Sequence, residues 1–252
     1  YSSVLPDQSF LTGVNSAYNF IDLDGTNEYI DAGTGIGNFL GDDYEGDLSA
    51  SIWFNANASG VNDGLIDIGV TLLDRGIFSL SLFNNTIELS FADRKFRMVY
   101  SFTDTGWNHI FAVYKAGSQS DTKLYVNGDS VSVSTLGTFP STTDMDFNNK
   151  TSTIGRYYSN SYTFSGQIGQ TAFYNKEISS TEVSAIYNLG RHGNLLDSYS
   201  DNLLGYWAMG ALDAKTGLSD VGDGTIYDRS GNSFHGTATN TESADLKSSP
   251  NA

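Results

Sequence analysis

The stretch that decides the fold, Gly106–Val133, reads GWNHIFAVYKAGSQSDTKLYVNGDSVSV. Asn127 and Gly128 predict a two-residue hairpin turn, because both central positions of a type I′ turn need a positive φ. Apolar and polar residues alternate around this turn, which indicates a hairpin with one buried and one solvated face. The run Ile110–Val113 is apolar throughout, so we expect a central strand buried on both faces of a two-layer structure.

Strand and turn patterns of the same kind extend on both sides of this hairpin. Leu48–Asn55 alternates apolar and polar residues, and Asn84–Asn85 joins two further short strands. The 27 glycines and the aromatic content of 13%, with only 3 prolines, fit many short strands joined by tight turns. We therefore predict an all-β, two-sheet antiparallel jelly-roll sandwich.

One short helix is predicted within this sandwich. Ser179–Glu182 reads SSTE, a capping box in which the first hydroxyl accepts from an orphan N–H and the glutamate reaches back. An apolar stripe follows, and Gly190 is a natural stop. We expect this helix to close an open end of the sandwich.

Composition limits the partners of the protein. The 29 acidic and 13 basic residues give a net charge of -16, which argues against nucleic acid, because a phosphate backbone needs a basic face. The acidity forms a solvated shell or, in part, binds a hard cation such as Ca²⁺. No apolar run reaches the ~20 residues needed to span a bilayer, so no membrane insertion is expected. The absence of cysteine removes disulfides, thiolate metal sites and a cysteine nucleophile.

A series of short motifs runs along most of the chain. In chain order they are Leu23–Gly25, Tyr29–Asp31, Leu48–Trp53, Gly106–His109, Leu124–Gly128, Gly166–Ile168, Phe173–Lys176, Leu204–Trp207 and Tyr227–Asn232. Their number and order, over about Tyr18–Thr237, resemble the laminin G-like jelly roll of the concanavalin A-like lectin/glucanase superfamily. The chain looks most like versions found in structural proteins of marine phages.

Two departures from the family pattern bear on organisation. Gly169 and Gln170 stand where the family often carries an acidic pair, and the Gly-Tyr-Trp and Asp-x-Ser-Gly-Asn elements follow the helix. The resemblance implies one jelly-roll domain at 18–239, in which 203–239 returns to complete the sandwich. We expect an N-terminal arm at 1–17 and a polar C-terminal tail at 240–252. Because the chain begins with tyrosine, we take it to be processed or partial.

A structural Ca²⁺ is the predicted cofactor. Asp228–Asn232 reads DRSGN, which places side-chain oxygens at alternate positions around a glycine turn, as a hard-cation loop requires. The resemblance places Asp24 and Glu28 near this turn. The predicted metal ligands are Asp24, Glu28, Asp228 and Asn232. The alternative is a metal-free turn, because Asp and Asn stabilise turns on their own.

Sugar binding is the commonest use of the superfamily, and it needs aromatic faces beside planar polar groups. The densest such cluster in the sequence is Tyr157–Tyr162, with an arginine beside it. The candidate carbohydrate-binding residues are Arg156, Tyr157, Tyr158 and Tyr162. The alternative for each tyrosine is ordinary cross-strand packing. The three tryptophans lie within strand patterns and are expected in the core: Trp53, Trp107 and Trp207.

We predict no catalytic residue, and so no enzyme. Glycoside hydrolysis needs two carboxylates about 5–10 Å apart, and the Glu-x-Asp-x-x-Glu run of catalytic relatives is missing here. Asp67 is a lone carboxylate in its strand. The three histidines have no metal-ligand spacing, and no nucleophile elbow supports a Ser-His-Asp arrangement. His109 is expected to be a packed structural residue.

The leading interpretation is a non-catalytic carbohydrate-binding or adhesion module on a virion or cell surface, outside the cell, with a surface glycan as partner. The alternative is a purely structural virion protein, as capsid decoration, tail or fibre. Its partners would then be neighbouring virion or surface proteins. A hydrolase ranks third.

Overall fold

The computed structural model describes residues 18–57, 62–70, 76–158, 162–209, 214–215, 224–242 and 245–249. Two sheets of antiparallel strands lie face to face, which confirms the predicted all-β jelly-roll sandwich. Within the described ranges, no helix is long and apolar enough to cross a membrane.

The elements follow one another along the chain as a series of short strands with two short helices. Up to the central hairpin they are β1 (Tyr18–Asp24), β2 (Tyr29–Asp31), α1 (Gly35–Leu40), β3 (Leu48–Ala56), β4 (Asn62–Val70), β5 (Phe78–Phe83), β6 (Thr86–Phe91), β7 (Phe96–Ser101), β8 (Asn108–Tyr114) and β9 (Lys123–Val126). The later elements are β10 (Asp129–Ser130), β11 (Ser134–Gly137), β12 (Thr151–Ile154), β13 (Ser165–Tyr174), α2 (Ser180–Asn188), β14 (Leu203–Trp207), β15 (Ala214–Lys215), β16 (Gly224–Ile226), β17 (Gly236–Thr239) and β18 (Leu246–Ser249).

The first sheet has the strand order β10-β9-β8-β3-β13-β1-β18, and β14 also pairs with β13. The second sheet has the order β11-β7-β6-β5-β4-β12-β2-β17-β16-β15. β8 therefore lies between two strands, and all of its residues are buried. This confirms the central strand predicted from Ile110–Val113.

Alternation along β3 decides which side chains enter the core between the sheets. Leu48, Ile52 and Phe54 are fully buried and belong to that core. Ser51 and Trp53 lie on the opposite face of the strand, because successive side chains of a strand alternate. The alternation of residues in the sequence of β3 therefore corresponds to the two faces of this strand in the sandwich.

A second hydrophobic cluster covers the outer face of the first sheet. Helix α2 packs Val183 and Ile186 against Phe111, Val113 and Tyr174, all of which are buried. We call this surface the covered face. The predicted capping box is confirmed, because the Ser179 hydroxyl and the Glu182 carboxylate each accept from the other's backbone N–H. The helix lies over a sheet face, so the expectation that it closes an open end is wrong.

The Asn127–Gly128 turn anchors this helix. Both residues have positive φ, 52° and 85°, as the sequence predicts. A Cβ on Gly128 would lie 2.7 Å from Cδ1 of Tyr187, so glycine also lets the helix approach the turn. The backbone carbonyl of Gly128 accepts from the Ser184 hydroxyl at 3.1 Å. The turn between β9 and β10 is therefore the surface on which α2 packs.

Helix α1 is a second short helix, in the glycine- and aspartate-rich stretch 33–46, and it is not the one helix that the sequence predicts. Gly35 and Gly37 are poor helix formers, which hides the element from propensity. Packing forms it instead, because Ile36 and Leu40 are buried in the main core. A Cβ on Gly37 would lie 2.5 Å from two backbone carbonyl oxygens, so only glycine fits there.

The residues after α2 contribute to both sheets. β14 pairs with β13 in the first sheet, and β17 pairs with β2 in the second. In the expected tail, 240–252, residues Leu246–Ser249 form β18 and pair with β1. The open edge of β1 decides this pairing, and the polar sequence carries no alternation that would predict it. The arm expected at 1–17 lies outside the described residues.

Candidate functional site

The outer face of the second sheet carries a row of polar side chains, which we call the polar face. Arg97 lies opposite Ser90, Ser90 opposite Ser79, and Ser79 opposite Asp67. Residues directly opposite in antiparallel strands share one face of the sheet. Phe78 and the alternate residues of β5 fill the core on the other side, so the polar row follows from the strand period.

Asp67 lies at the centre of this face and is fully buried. Its carboxylate accepts from the Ser79 hydroxyl at 2.5 Å and from the Tyr158 backbone N–H at 3.0 Å. Burial raises the pKa of Asp67 to about 7, against the lowering effect of these two bonds and of Arg156. Burial therefore favours the protonated form of this carboxyl group to a much higher pH than an exposed aspartate would show.

Two arginines hold the second carboxylate of the polar face. Glu88 Oε1 lies 2.7 Å from Nε of Arg94, and Oε2 lies 3.3 Å from Nη1 of Arg97. Ala92, Asp93 and Arg94 have φ of 51°, 54° and 63°, three left-handed residues in succession. Such backbone strain is concentrated at binding sites, where surrounding contacts hold it. Here the turn directs the Arg94 side chain back over the sheet.

The predicted sugar-binding residues lie together on the loop 155–164, which joins β12 to β13 and which we call the tyrosine loop. Arg156 places its guanidinium carbon 3.6 Å from the centre of the Tyr29 ring. The rings of Tyr157 and Tyr162 meet edge to face at 6.2 Å. Tyr158 has φ of 61° and binds Asp67 through its backbone. The segment 159–161 lies outside the described residues.

The tyrosine loop lies directly on β4. A Cβ on Gly64 would overlap the backbone of Arg156 and Tyr157, so glycine allows this approach. The Gly64 N–H donates to the Tyr162 carbonyl at 3.2 Å. Tyr157 is only 8% exposed, whereas Tyr158 and Tyr162 are half-buried. The latter two are therefore the rings that a ligand can reach.

A small cavity lies between the tyrosine loop and β5. Its volume is about 30 Å³, which is room for one or two groups the size of a water molecule. Asp63 lines this cavity, and its Oδ2 has no hydrogen-bond partner among the described residues. Burial raises the pKa of Asp63 to about 6, although the Ser165 backbone N–H donates to it. The other lining residues are Ser81, Leu82, Phe83, Arg94, Tyr157 and Tyr162.

The predicted metal ligands fall into two separate groups of contacts. Glu28 accepts from the Asp24 backbone N–H at 2.6 Å, and burial raises the pKa of Glu28 to about 7. Asp228 accepts from the backbone N–H groups of Tyr206 and Phe234, and from both the N–H and the hydroxyl of residue 230. Asn232 donates its amide to two backbone carbonyls.

These contacts are those of turn-stabilising residues. Within the part of the chain that the structure describes, no group of three or more His, Cys, Asp or Glu side chains is placed to hold a metal ion. Asp24, Glu28 and Asp228 therefore do not fit one calcium shell. The calcium site stays a prediction, and the metal-free turn accounts for Asp228 as the structure has it.

The expectations for tryptophan and histidine concern the covered face and the core. Trp53 and Trp207 are buried, as predicted, and Trp107 is half-buried. His109 is fully buried, and its ring lies against Trp53 with ring centres 4.8 Å apart and a tilt of 30° between the planes. Its Nε2 forms a hydrogen bond of 2.7 Å with the Ser51 hydroxyl. Burial lowers the pKa of His109 to about 3, so the ring is neutral. The Ser–His pair is sealed from solvent and is structural.

The structure adds site residues that sequence reasoning misses. Asp63 lies on β4, Glu88 on β6 and Arg94 in the turn between β6 and β7, so strand pairing and that turn together bring them towards the tyrosine loop. The available signal is weak. Glutamate and serine alternate with fully buried apolar residues along β6, yet are themselves buried, and buried polar residues are the informative ones.

Comparisons with known proteins agree with this architecture. Residues 24–184, more than half of the chain, match the Laminin_G_3 family, described as Concanavalin A-like lectin/glucanases superfamily. No curated protein matches the chain by sequence.

Solved structures resemble it at low identity. A Bacteroides ovatus protein described as carbohydrate binding is 16% identical, with a TM-score of 0.52, over 87% of this chain and 55% of that one. The CBM40 of Ruminococcus gnavus IT-sialidase is 15% identical, with a TM-score of 0.48, over 67% and 96%. At 16% identity, the likeness to the Bacteroides ovatus protein speaks for the fold alone. The family match, together with the two-sheet topology, shows that the chain belongs to the concanavalin A-like lectin/glucanase superfamily.

Proposed function

We propose that this protein is a non-catalytic carbohydrate-binding module that holds a glycan on its polar face, beside the tyrosine loop. The observation that carries the proposal is the meeting of a buried and a half-buried tyrosine ring, Tyr157 and Tyr162, with one arginine side chain around a small cavity. Tyr162 and Arg94 line that cavity together. Aromatic faces pack on the apolar side of a pyranose, and planar charged groups bind its hydroxyls.

The charge distribution supports this position for the ligand. Three of the few basic residues of a chain with net charge -16 lie on the polar face or in the tyrosine loop: Arg94, Arg97 and Arg156. Glu88 neutralises the first two in part, and the side chains of Arg94 and Arg97 remain 18% and 30% exposed. Their remaining N–H groups are donors for sugar oxygens.

The carboxylates of the polar face support binding without cleavage. A glycosidase needs one carboxyl group that protonates the leaving oxygen and a second that attacks or activates water. Asp67 is fully buried beneath the tyrosine loop, and Glu88 is engaged by two arginines. Asp63 is buried as well and lies opposite Leu82, a core residue, in the strand pairing, so it does not complete such a pair on the polar face.

A glycan array tests the proposal, with Tyr162→Ala as the test variant. We expect the wild-type protein to bind a subset of glycans and the variant to lose at least tenfold in affinity, because one stacking face is removed. Tyr199→Ala is the matched control, since Tyr199 is also partly buried but packs on the covered face. Equal binding by wild type and Tyr162→Ala contradicts the proposed site. Release of reducing sugar from bound polysaccharide would support a hydrolase instead.

We further propose that the module works outside the cell, on a virion or cell surface, where its acidic shell keeps it soluble. This setting rests on the resemblance described above and on the glycan-binding proposal. Detection of the protein on intact particles or cells by a labelled antibody is the expected result. Recovery only from the cytoplasm would contradict it.

A purely structural role in a virion is the second candidate. β11 forms an edge of the second sheet, its four residues are all exposed, and Leu136 is 46% exposed. An exposed edge strand is a template for pairing with a neighbouring chain. In this case the protein would assemble with its neighbours, and Leu136→Lys would abolish assembly without changing the melting temperature.

A structural calcium ion is a separate proposal, supported by the pattern of Asp228–Asn232. Calorimetric melting of chelator-treated protein tests it. A bound ion raises the melting temperature when Ca²⁺ is added, because a ligand of the native state stabilises it by mass action. An unchanged melting temperature supports the metal-free turn.

A further inference from the structure

We propose that Asp67 is a positioning residue of the binding site: its carboxylate holds Tyr158 in a left-handed backbone conformation and so fixes a ring that the glycan contacts. The inference rests on the proposed function and adds to the site a residue that never touches the sugar. Asp67 acts only through the tyrosine loop that covers it.

The contact that carries the argument joins β4 to a residue 91 positions later in the chain. Oδ2 of Asp67 accepts from the Tyr158 backbone N–H at 3.0 Å, and Tyr158 has φ of 61°. A residue with a bulky side chain rarely adopts a positive φ, so surrounding contacts must hold it there. A hydrogen bond to a carboxylate is among the stronger contacts of this kind. Without it, we expect Tyr158 to relax to a negative φ and its half-buried ring to move.

The other two rings of the tyrosine loop are held by contacts that do not involve Asp67. The Tyr157 N–H donates to the Tyr162 carbonyl at 3.0 Å, and the Gly64 N–H donates to the same carbonyl at 3.2 Å. These bonds fix the base of the loop to itself and to β4. Loss of the Asp67 carboxylate should therefore release Tyr158 and leave Tyr157 and Tyr162 in place.

The burial of Asp67 reduces stability, which argues for a role beyond packing. Asp67 is fully buried, and the residues opposite it on the two neighbouring strands are uncharged, Ser79 and Thr153. Burial raises the pKa of Asp67 to about 7, so the native state is less stable at neutral pH than it would be with an ordinary aspartate. Residues of this kind are concentrated at functional sites, where geometry is kept at the expense of stability.

The test measures affinity for immobilised cellotetraose, chitotetraose and sialyllactose, which are a neutral, an N-acetylated and an acidic probe. Asp67→Ala removes the acceptor, and we expect affinity to fall about tenfold for each probe that wild-type protein binds. Asp67→Leu keeps the volume of the side chain without an acceptor and should show the same loss. Asp67→Asn keeps an acceptor oxygen for the Tyr158 N–H and should stay within about twofold of wild type.

A double-mutant cycle separates positioning from a general loss of structure. In a Tyr158→Ala background the ring is already absent, so adding Asp67→Ala should change affinity by less than about twofold. A merely structural role would lower affinity equally in both backgrounds. Asp47→Ala is the matched control, because Asp47 also accepts from a remote backbone N–H, that of Ala116 at 3.0 Å. This variant should leave affinity unchanged.

Hydrogen exchange of the Tyr158 amide, followed by NMR, provides a measurement without a sugar. Exchange should be faster in Asp67→Ala than in wild type and unchanged in Asp67→Asn, and equal rates in all three proteins would overturn the inference. If Tyr162→Ala lowers affinity while Asp67→Ala and Tyr158→Ala match wild type, this inference is overturned alone. If wild-type protein binds none of the probes and no glycan on an array, the proposed function fails, and the inference fails with it.

Discussion

The outer face of the first sheet is covered by a helix and that of the second by a loop, and the two covers differ in chemistry. On the covered face, α2 and its neighbours bury Phe111, Tyr174 and Ile186 in an apolar cluster. On the polar face, the tyrosine loop lies over buried Asp67, near the Glu88–Arg94 pair.

The difference separates stability from recognition. Burial of apolar surface stabilises the folded state roughly in proportion to the area buried, and it does so without a ligand. A buried carboxylate beneath a loop costs free energy unless donors reach it, and the loop supplies only some of them. We therefore expect the covered face to stabilise the fold and the polar face to hold the binding groups.

Opening the covered face should have the largest effect. Ile186→Ala removes a side chain that is 1% exposed, and we expect a loss of about 2–4 kcal/mol in the free energy of unfolding from the cavity left behind. Leu189→Ala, at the C-cap residue that follows this helix and is 43% exposed, should change stability by no more than about 0.5 kcal/mol. Urea unfolding measures both, and similar losses would contradict the second core.

Displacing the tyrosine loop from β4 should have the second largest effect on stability. Gly64→Ala forces a Cβ into the loop backbone, so we expect a loss of about 2 kcal/mol and of glycan binding together. Gly169→Ala is the matched control on the first sheet, where the new Cβ would meet the edge of the Trp107 ring at 3.2 Å. It should cost less than about 1 kcal/mol and leave binding intact. Binding that survives Gly64→Ala would remove the loop from the site.

One buried titratable group on each face should make the free energy of unfolding depend on pH, and the two dependences should have opposite signs. The pKa of Asp67 is raised to about 7, so the folded state holds a proton that the unfolded state has released, and stability falls as pH rises from 5 to 7. The pKa of His109 is lowered to about 3, so the unfolded state binds the extra proton, and stability falls as pH drops from 7 to 5.

Each effect amounts to about 2 kcal/mol over this range. Relative to wild type, Asp67→Asn should gain stability towards pH 7 and His109→Phe should gain it towards pH 5. Unfolding curves at several pH values measure the two differences. Slopes of the same sign would show that the two faces are not separate environments.

The smallest effect concerns the ion pairs. Glu88→Ala leaves two partly exposed arginines without their carboxylate, and we expect a loss of about 1–2 kcal/mol. Glu177→Ala breaks an exposed pair with Lys115, which keeps Asp47 as a partner, and should cost less than about 0.5 kcal/mol. Chemical unfolding in low salt measures the loss of stability for each variant. Equal losses would mean that the buried Glu88 pair contributes no more than an exposed ion pair.

The sequence predicts local features well because local physics determines them. The Asn127–Gly128 turn, the Ser179 capping box and the central strand β8 each follow from the residues that form them. Helix α1 and strand β18 escape prediction, because distant contacts form both. α1 depends on glycine fitting between remote carbonyl groups, and β18 on an open strand edge.

The candidate site is predictable only in part for the same reason. Arg156–Tyr158 and Tyr162 are adjacent in sequence, so composition alone finds them. Asp63, Glu88 and Arg94 reach the same place through strand register, which one sequence does not determine. The predicted calcium ligands show the converse. A local sequence pattern selects Asp228, and in the structure Asp228 forms hydrogen bonds with residue 230 of the same turn.

The pairing of β18 with β1 has a mechanical consequence. The two strands run antiparallel, with Tyr18 opposite Ser249, so a force applied at these residues would separate the hydrogen bonds one after another. A shear geometry would instead share the load among all of them. We therefore expect a tether through residues 18 and 249 to peel this edge at low force while the interior of the sandwich stays closed.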